Sequence, residues 1–301
     1  MSTSKKHAPP YLRNDRRTSS IMGDVCISLT PPAVAALWFF GIRALWMLLT
    51  AIIASFVTDR LSSRLRRSTH PFDFSALVTG IILALSCPVG TPLWLVAVMC
   101  VVAIAVFRDA FGGIGANLFN PAMAARALLL TVFPAYLAGY GLPDAVSSAT
   151  PLSGGETALL PLFFGRVGGS IGETSAALIL LGAGYLLVRR VIRWQIPVLS
   201  VAAFALVIAA GGEDIPRQIL SGSLLFGAVY IFTDYTGSPT TPIGELLFAV
   251  GAGALTAVLR LWGRYPEGVC FAILIMNLLT PLLDTCTRPR VYGTKRKERS
   301  A

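Results

Sequence analysis

Apolar segments alternate with short polar or proline-containing segments along nearly the whole chain. Because an α-helix needs about 20 mostly apolar residues to cross a bilayer, this pattern predicts an all-α polytopic membrane protein with about ten transmembrane helices. The apolar segments are residues 23–40, 43–59, 73–88, 91–108, 118–138, 171–189, 194–211, 218–234, 243–260 and 266–284.

Arginine and lysine residues cluster between some of these segments and in both tails. The basic stretches are Arg60–Arg67, Arg189–Arg193, the N-terminal tail and Arg288–Arg299. Since basic connections stay on the cytoplasmic side, both termini are predicted to be cytoplasmic and the stretch 139–170 extracytoplasmic. This orientation requires residues 23–59 to cross twice, around Gly41, Ile42 and Arg43. A single kinked crossing would reverse everything downstream or place the N-terminus outside.

Polar and helix-breaking residues interrupt several of the apolar segments. The interruptions lie in Leu83–Trp94, Gly112–Ala124, Phe232–Glu245 and Met276–Pro281, and the second and fourth contain the similar Asn-x-x-x-Pro motifs Asn117–Pro121 and Asn277–Pro281. Broken helices in both halves of a membrane protein are typical of inverted repeats around a central site. We therefore predict two inverted five-helix repeats, residues 23–138 and 171–284, joined by the loop 139–170 and flanked by basic tails, 1–22 and 285–301.

Composition agrees with the membrane class and excludes several others. Hydrophobic residues make up 54% of the chain and charged residues 13%, whereas soluble domains contain about 25% charged residues. The net charge of +10 lies in the short basic clusters, which the membrane orientation already explains, so nucleic acid is not an expected partner. The five cysteines form no Cys-x-x-Cys pair, and no metal site is predicted from this chain alone.

Asp234 and its neighbours are the strongest candidates for a site inside the membrane. A carboxylate within an apolar segment is expensive unless it faces a cavity or a partner, so Asp234, with Thr233, Asn117 and Asn120, predicts an environment for an ion or a flavin. The alternative is that Asp234 and Thr233 only cap a half-helix. Arg126, in the fifth segment, could counter a flavin phosphate or a carboxylate, but we expect its guanidinium to extend to the cytoplasmic interface instead.

Four motifs, in order, resemble those of one family of redox membrane proteins. They are LALSCPVGTPLW, GGIGANLFNPAMAARAL, DAVSSATPL and IFTDYTGSPTTPIG. The family comprises the D subunit of the Rnf ion-translocating electron transport complex and its relative, the B subunit of the sodium-pumping NADH:quinone reductase. The resemblance implies that FMN is esterified through its phosphate to Thr150, in a loop context of Asp144, Ser147, Ser148 and Ala149. The family usually has glycine where this chain has Ser148.

The resemblance also implies the cellular role. The chain would be a multi-pass subunit of a ferredoxin:NAD oxidoreductase in a bacterial cytoplasmic (inner) membrane, coupling electron transfer to sodium or proton movement. It would have partner subunits of the Rnf A, B, C, E and G types, surrounding lipid, a flavin transferase for maturation, and a possible second, non-covalent flavin (riboflavin). One alternative is a B-type subunit of the NADH:quinone reductase, which the short N-terminus disfavours. The other is a secondary transporter or channel without a redox role.

Overall fold

The structure, a computed structural model, describes residues 18–66, 73–137, 159–165, 169–263 and 268–289. Within these residues the chain is mostly helical and contains no β-strand, which agrees with the predicted all-α class. The helices are α1 Thr18–Ser28, α2 Thr30–Leu65, α3 Ser75–Leu85, α4 Leu93–Val101, α5 Pro121–Val132, α6 Pro134–Leu137, α7 Leu159–Phe164, α8 Ala176–Val188, α9 Gln195–Ala210, α10 Ile215–Leu220, α11 Leu224–Phe226, α12 Pro242–Leu261 and α13 Gly268–Thr287; π-helical segments, Val102–Asp109 and Gly227–Ile231, extend α4 and α11.

The chain reverses direction within α2. Gly41 has φ 60° and ψ −143°, a conformation that is open essentially only to glycine. Met22 in α1 lines the same cavity as Arg108, and Arg108 donates to the carboxylate of Asp59 in α2. An unbroken helix would separate Met22 from Asp59 by roughly 55 Å, at 1.5 Å per residue. The two arms of α1–α2 therefore return to the same end of the molecule, as the two-crossing interpretation requires.

Helix length varies more than the apolar pattern predicts. Among the described residues, Thr18–Leu65, Pro242–Leu261 and Gly268–Thr287 are long and apolar enough to cross a membrane, and α3, α5, α8 and α9 are shorter apolar helices. The short helices begin or end at the polar interruptions, because capping side chains and prolines stop them there. Asn120 accepts from Met123 N to begin α5, and Ser175 accepts from Leu178 N to begin α8.

The interrupted backbone is satisfied by the protein itself. The residues after α3 lie antiparallel to those before α8, where Ile171 N donates to Cys87 O (3.0 Å) and Gly172 N donates to Leu85 O (2.8 Å). Non-helical backbone at membrane depth requires such internal partners. The pairing joins the two predicted halves, which also share one hydrophobic core that extends from α1–α2 to α13.

The motif Asn277–Pro281 does not interrupt its helix, contrary to the prediction. Pro281 lies inside α13, which continues to Thr287, whereas Pro121 occupies the first turn of α5. Proline within a helix removes one backbone hydrogen bond but does not have to end the helix when the surrounding packing holds it. The two Asn-x-x-x-Pro motifs therefore have different local structures. The five-helix repeats and their boundaries remain predictions.

Candidate functional site

A cavity of about 90 Å³ lies where the two predicted halves meet. Its walls come from α1, α3, the start of α5, the end of α8 and the π-helical segment Gly227–Ile231. Asn117, Asn120, Thr233 and Asp234 all line it. The structure thus brings together the four residues that were predicted from the sequence to form an ion or flavin environment. A cavity of this size holds several water molecules.

Asp234 is held by neutral donors. Its Oδ1 accepts from Thr236 N (3.3 Å) and Thr236 Oγ1 (3.1 Å), and its Oδ2 accepts from Asn120 Nδ2 (3.0 Å). Within the described residues, no ion pair joins Asp234 to a basic side chain. The bond to Thr236 N closes the turn after the half-helix, so Asp234 caps this turn and lines the cavity as well.

The two asparagines connect the start of α5 to the same turn. Asn120 caps α5 through Oδ1, which leaves its Nδ2 for Asp234. Asn117 Nδ2 donates to Thr236 Oγ1 (3.3 Å), whereas its buried Oδ1 has no hydrogen-bond partner within the part of the chain that the structure describes. Thr233 Oγ1 donates to Val229 O (2.5 Å), so its hydroxyl stabilises the half-helix and does not bond to Asp234.

The chemistry of this donor set favours a cation or a neutral polar ligand. Carboxylate, amide and hydroxyl oxygens are the ligands of hard cations. Among the described residues, the carboxylate of Asp234 has no cationic partner and the buried amide oxygen of Asn117 has no hydrogen-bond donor. Because an unsatisfied buried polar atom needs an explanation, a water, an ion or a polar edge of a ligand fits beside Asn117.

A cluster of charged side chains lies at one end of the cavity, and the sequence analysis did not predict it. Arg108 donates to Ser75 Oγ (3.1 Å), to Asp109 Oδ1 (2.9 Å) and to Asp59, while Arg66 Nη2 lies 3.0 Å from Asp109 Oδ1. The cluster ties together α2, α3 and the π-helical segment Val102–Asp109. The one sequence feature that could have indicated this cluster is the pair of adjacent charges, Arg108 and Asp109, at the end of an apolar segment.

The preferred prediction for Arg126 was wrong, whereas the alternative, that its guanidinium faces a carboxylate, agrees with the structure. We expected it to extend to the cytoplasmic interface, but its side chain is 1% exposed. Its Nη2 donates to Ser170 Oγ (3.4 Å), and its Nη1 lies 4.0 Å from Glu173 Oε1. The physical reason is the non-helical segment before α8, which places a carboxylate and a hydroxyl beside α5.

The predicted flavin loop falls outside the described residues. This applies to Asp144, Ser147, Ser148, Ala149 and Thr150. The structure describes the helices on either side of it, α6 and α7.

The described residues on either side of the stretch 138–158 lie at the same end of the molecule. Before it, Phe133 packs edge-on against Trp94 at the start of α4, with 5.7 Å between ring centroids. After it, Gly165 lies against Phe39, close to the reversal in α2. Arg43, also at this reversal, donates to Thr91 O (3.2 Å) just before α4, which places the reversal beside the start of α4. The Arg108 cluster is at the other end of α4 and its π-helical extension, which together rise roughly 25 Å. The loop ends and the Arg108 cluster are therefore on opposite sides of the molecule.

Comparison with known proteins gives matches over almost the whole chain. Residues 5–293 match the NQR2, RnfD, RnfE family. The chain is 39% identical to the D subunit of the Na(+)-translocating ferredoxin:NAD(+) oxidoreductase complex of Acetobacterium woodii, over 97% of this chain and 96% of that protein. It is 40% identical to the proton-translocating counterpart of Clostridium ljungdahlii, over 95% of each. It is 37% identical to the D subunit of the ion-translocating oxidoreductase complex of Stutzerimonas stutzeri, over 91% of each.

Proposed function

The chain belongs to the NQR2, RnfD, RnfE family, and we propose that it is the D-type membrane subunit of an ion-translocating ferredoxin:NAD oxidoreductase complex. The observation that carries this proposal is the near-complete coverage of relatives that are themselves named as the D subunits of such complexes. The chain acts as part of an oxidoreductase in the membrane, with the other Rnf subunits as partners, and has no activity alone.

Deletion of this subunit from its host tests the proposal. Membranes without it should lose ferredoxin-dependent NAD reduction, and the gene supplied in trans should restore it. Loss of NADH:quinone activity instead would favour the B-type subunit of the quinone reductase. If both electron-transfer activities survive while uptake of a solute is lost, the chain is a transporter and the proposal is wrong.

We propose that FMN is attached through its phosphate to the Thr150 hydroxyl. The support is the motif DAVSSATPL, which resembles the family's attachment site and lies in the sequence between α6 and α7; attachment by a flavin transferase requires an accessible loop. The flavin supplies the electron-carrying chemistry, while the protein determines its position and environment.

We propose ten crossings arranged as two inverted repeats, with the flavin loop outside the cytoplasm. The reversal at Gly41 supports the paired first crossings. The separation of the loop ends from the Arg108 cluster, which includes the basic end of α2, supports the orientation. A reporter fused after Ala301 or inserted near Ser63 should report the cytoplasm, and one near Gly154 the far side. An extracytoplasmic signal near Ser63 would contradict this topology.

We assign the cavity around Asp234 to the coupling step, as a site that a translocated cation enters. Two features of the described residues support this assignment: the carboxylate of Asp234 has no basic partner, and the amide oxygen of Asn117 has no hydrogen-bond donor. A second, non-covalent flavin such as riboflavin stays a separate proposal, because a cavity of about 90 Å³ is smaller than the roughly 300–1,000 Å³ of sites that enclose such ligands. Flavin released from the purified chain by denaturation, in excess of the covalent FMN, would show that a second flavin is bound.

A further inference from the structure

One face of α13 holds the broken segment between the π-helical stretch Gly227–Ile231 and α12. The face consists of Asn277, Thr280, Asp284 and Thr287, whose spacing of three or four residues puts them on one side of the helix. Thr280 Oγ1 donates to Gly237 O (2.8 Å), and Asp284 Oδ1 accepts from Thr240 N (2.8 Å). The position of the broken segment therefore depends on α13.

Asn277 connects this segment to the other half of the protein. In the amide orientation that satisfies its neighbours, Nδ2 donates to Gly237 O (3.1 Å) and Oδ1 accepts from Asn120 N (2.8 Å). The side chain is buried, with an exposure of 1%. A Cβ atom at position 237 would lie 2.8 Å from the amide, so glycine permits this close approach.

The contact to Asn120 N fixes the side chain that bonds to Asp234. The backbone of Asn120 is held by Asn277, and its Oδ1 is committed to Met123 N. With both of these fixed, Nδ2 points to Asp234 Oδ2. Asn277 also fixes Gly237, three residues beyond Asp234, so it holds the carboxylate from both sides.

We propose that Asn277 is a positioning residue for the coupling site: it sets the distance and angle between Asn120 and Asp234 without touching the cation itself. This inference rests on the proposed role of Asp234 as a cation site. Loss of Asn277 lets the Asn120 backbone and the turn at Gly237 move apart. The carboxylate remains, but its orientation is no longer fixed, so the site binds the cation more weakly while the electron-transfer chain stays intact.

The test uses membranes that contain the assembled complex, with ferredoxin:NAD turnover measured against Na⁺ concentration at fixed pH and against pH without added Na⁺. The variants are Asn277→Ala, Thr280→Val, which removes one hydroxyl at nearly constant volume, and Thr280→Ser, which restores it. Thr285→Val is the matched control, because the Thr285 hydroxyl bonds only to Pro281 O of its own helix among the described residues. Asp234→Asn is measured in parallel.

The comparison uses whichever titration, Na⁺ or pH, changes the turnover of the unmodified complex. In that titration Asn277→Ala should raise the half-saturating cation concentration roughly 10-fold or more, as the loss of a group that orients a metal ligand does. The maximal rate per assembled complex should change far less. Thr280→Val should shift in the same direction by a smaller factor, Thr280→Ser should revert, and Thr285→Val should not shift.

Unchanged half-saturation in Asn277→Ala, with a rate that falls only in proportion to assembly, would overturn the inference. If Asn277→Ala does not assemble, an identical response of Thr280→Val and Thr280→Ser would overturn it instead. Unchanged cation dependence in Asp234→Asn would reject the proposed coupling site, which is a different failure.

Discussion

Replacement of Asp234 by asparagine separates the charge of this side chain from its shape. A carboxylate at membrane depth costs about 2.5 to 3.5 kcal/mol on insertion scales, and the asparagine removes that cost. It also turns an amide nitrogen or a neutral oxygen toward Asn120 Nδ2, which loses a bond to a charged acceptor worth about 1.5 to 3 kcal/mol. The two effects nearly cancel, so we expect Asp234→Asn complex to assemble in normal amount with little change in thermal stability.

Cation binding should change much more than stability. The attraction between a carboxylate and a monovalent cation about 4 Å apart is roughly 4 kcal/mol at an effective dielectric constant of 20, which corresponds to roughly a thousandfold in affinity. We therefore expect ion-coupled ferredoxin:NAD turnover to be lost at ordinary cation concentrations, with FMN still bound.

The assay is turnover and ion uptake in membrane vesicles that contain equal amounts of assembled complex. Asp214→Asn is a matched control, because Asp214 is exposed, precedes α10 and makes no side-chain cap bond. Normal turnover with normal ion dependence in Asp234→Asn would refute the reasoning and leave Asp234 as the cap of a turn. A complex that fails to assemble would refute the energetic argument.

Two further predictions concern the fold. Gly41→Ala should destabilise the assembled protein by about 1 to 3 kcal/mol, since the φ and ψ of Gly41 strain any side chain. Gly23→Ala is the control and should not destabilise it, because a Cβ added there meets nothing within 4 Å. Equal melting temperatures for the two variants would contradict the reversal at Gly41. Arg126→Met should destabilise the protein by about 3 to 5 kcal/mol because Glu173 loses a buried partner. Adding Glu173→Gln to this variant should recover much of the lost stability. Full stability of Arg126→Met alone would show that the pair is not coupled.

The candidate site was predictable because its residues violate the apolar pattern. Asp234 and Asn120 are polar side chains inside or beside apolar segments, and such positions are costly unless they have a function or a partner. The sequence could not show that the two bond to each other, since they are separated by 114 positions and only the tertiary fold brings them together. The bridge through Asn277 was hidden for the same reason.

The errors have local physical causes. Arg126 was assigned to an interface because a lone arginine near a helix end usually extends to water, and nothing in the sequence placed Glu173 beside it. Pro281 predicted a break because proline removes a helical hydrogen bond, but the packing of α13 preserves the helix. Gly41, one of the three residues around which the chain was predicted to turn, has non-helical backbone angles, and the two crossings themselves remain a prediction.

The intact mass of the purified chain tests the central claim most directly. A redox subunit with esterified FMN should weigh more than its sequence by one FMN less one water, and the band should fluoresce in a denaturing gel. The Thr150→Ala protein should have the unmodified mass and no fluorescence, while Ser147→Ala should keep both signals. An unmodified mass for the chain from its own host, or covalent flavin retained in Thr150→Ala, would contradict the assignment.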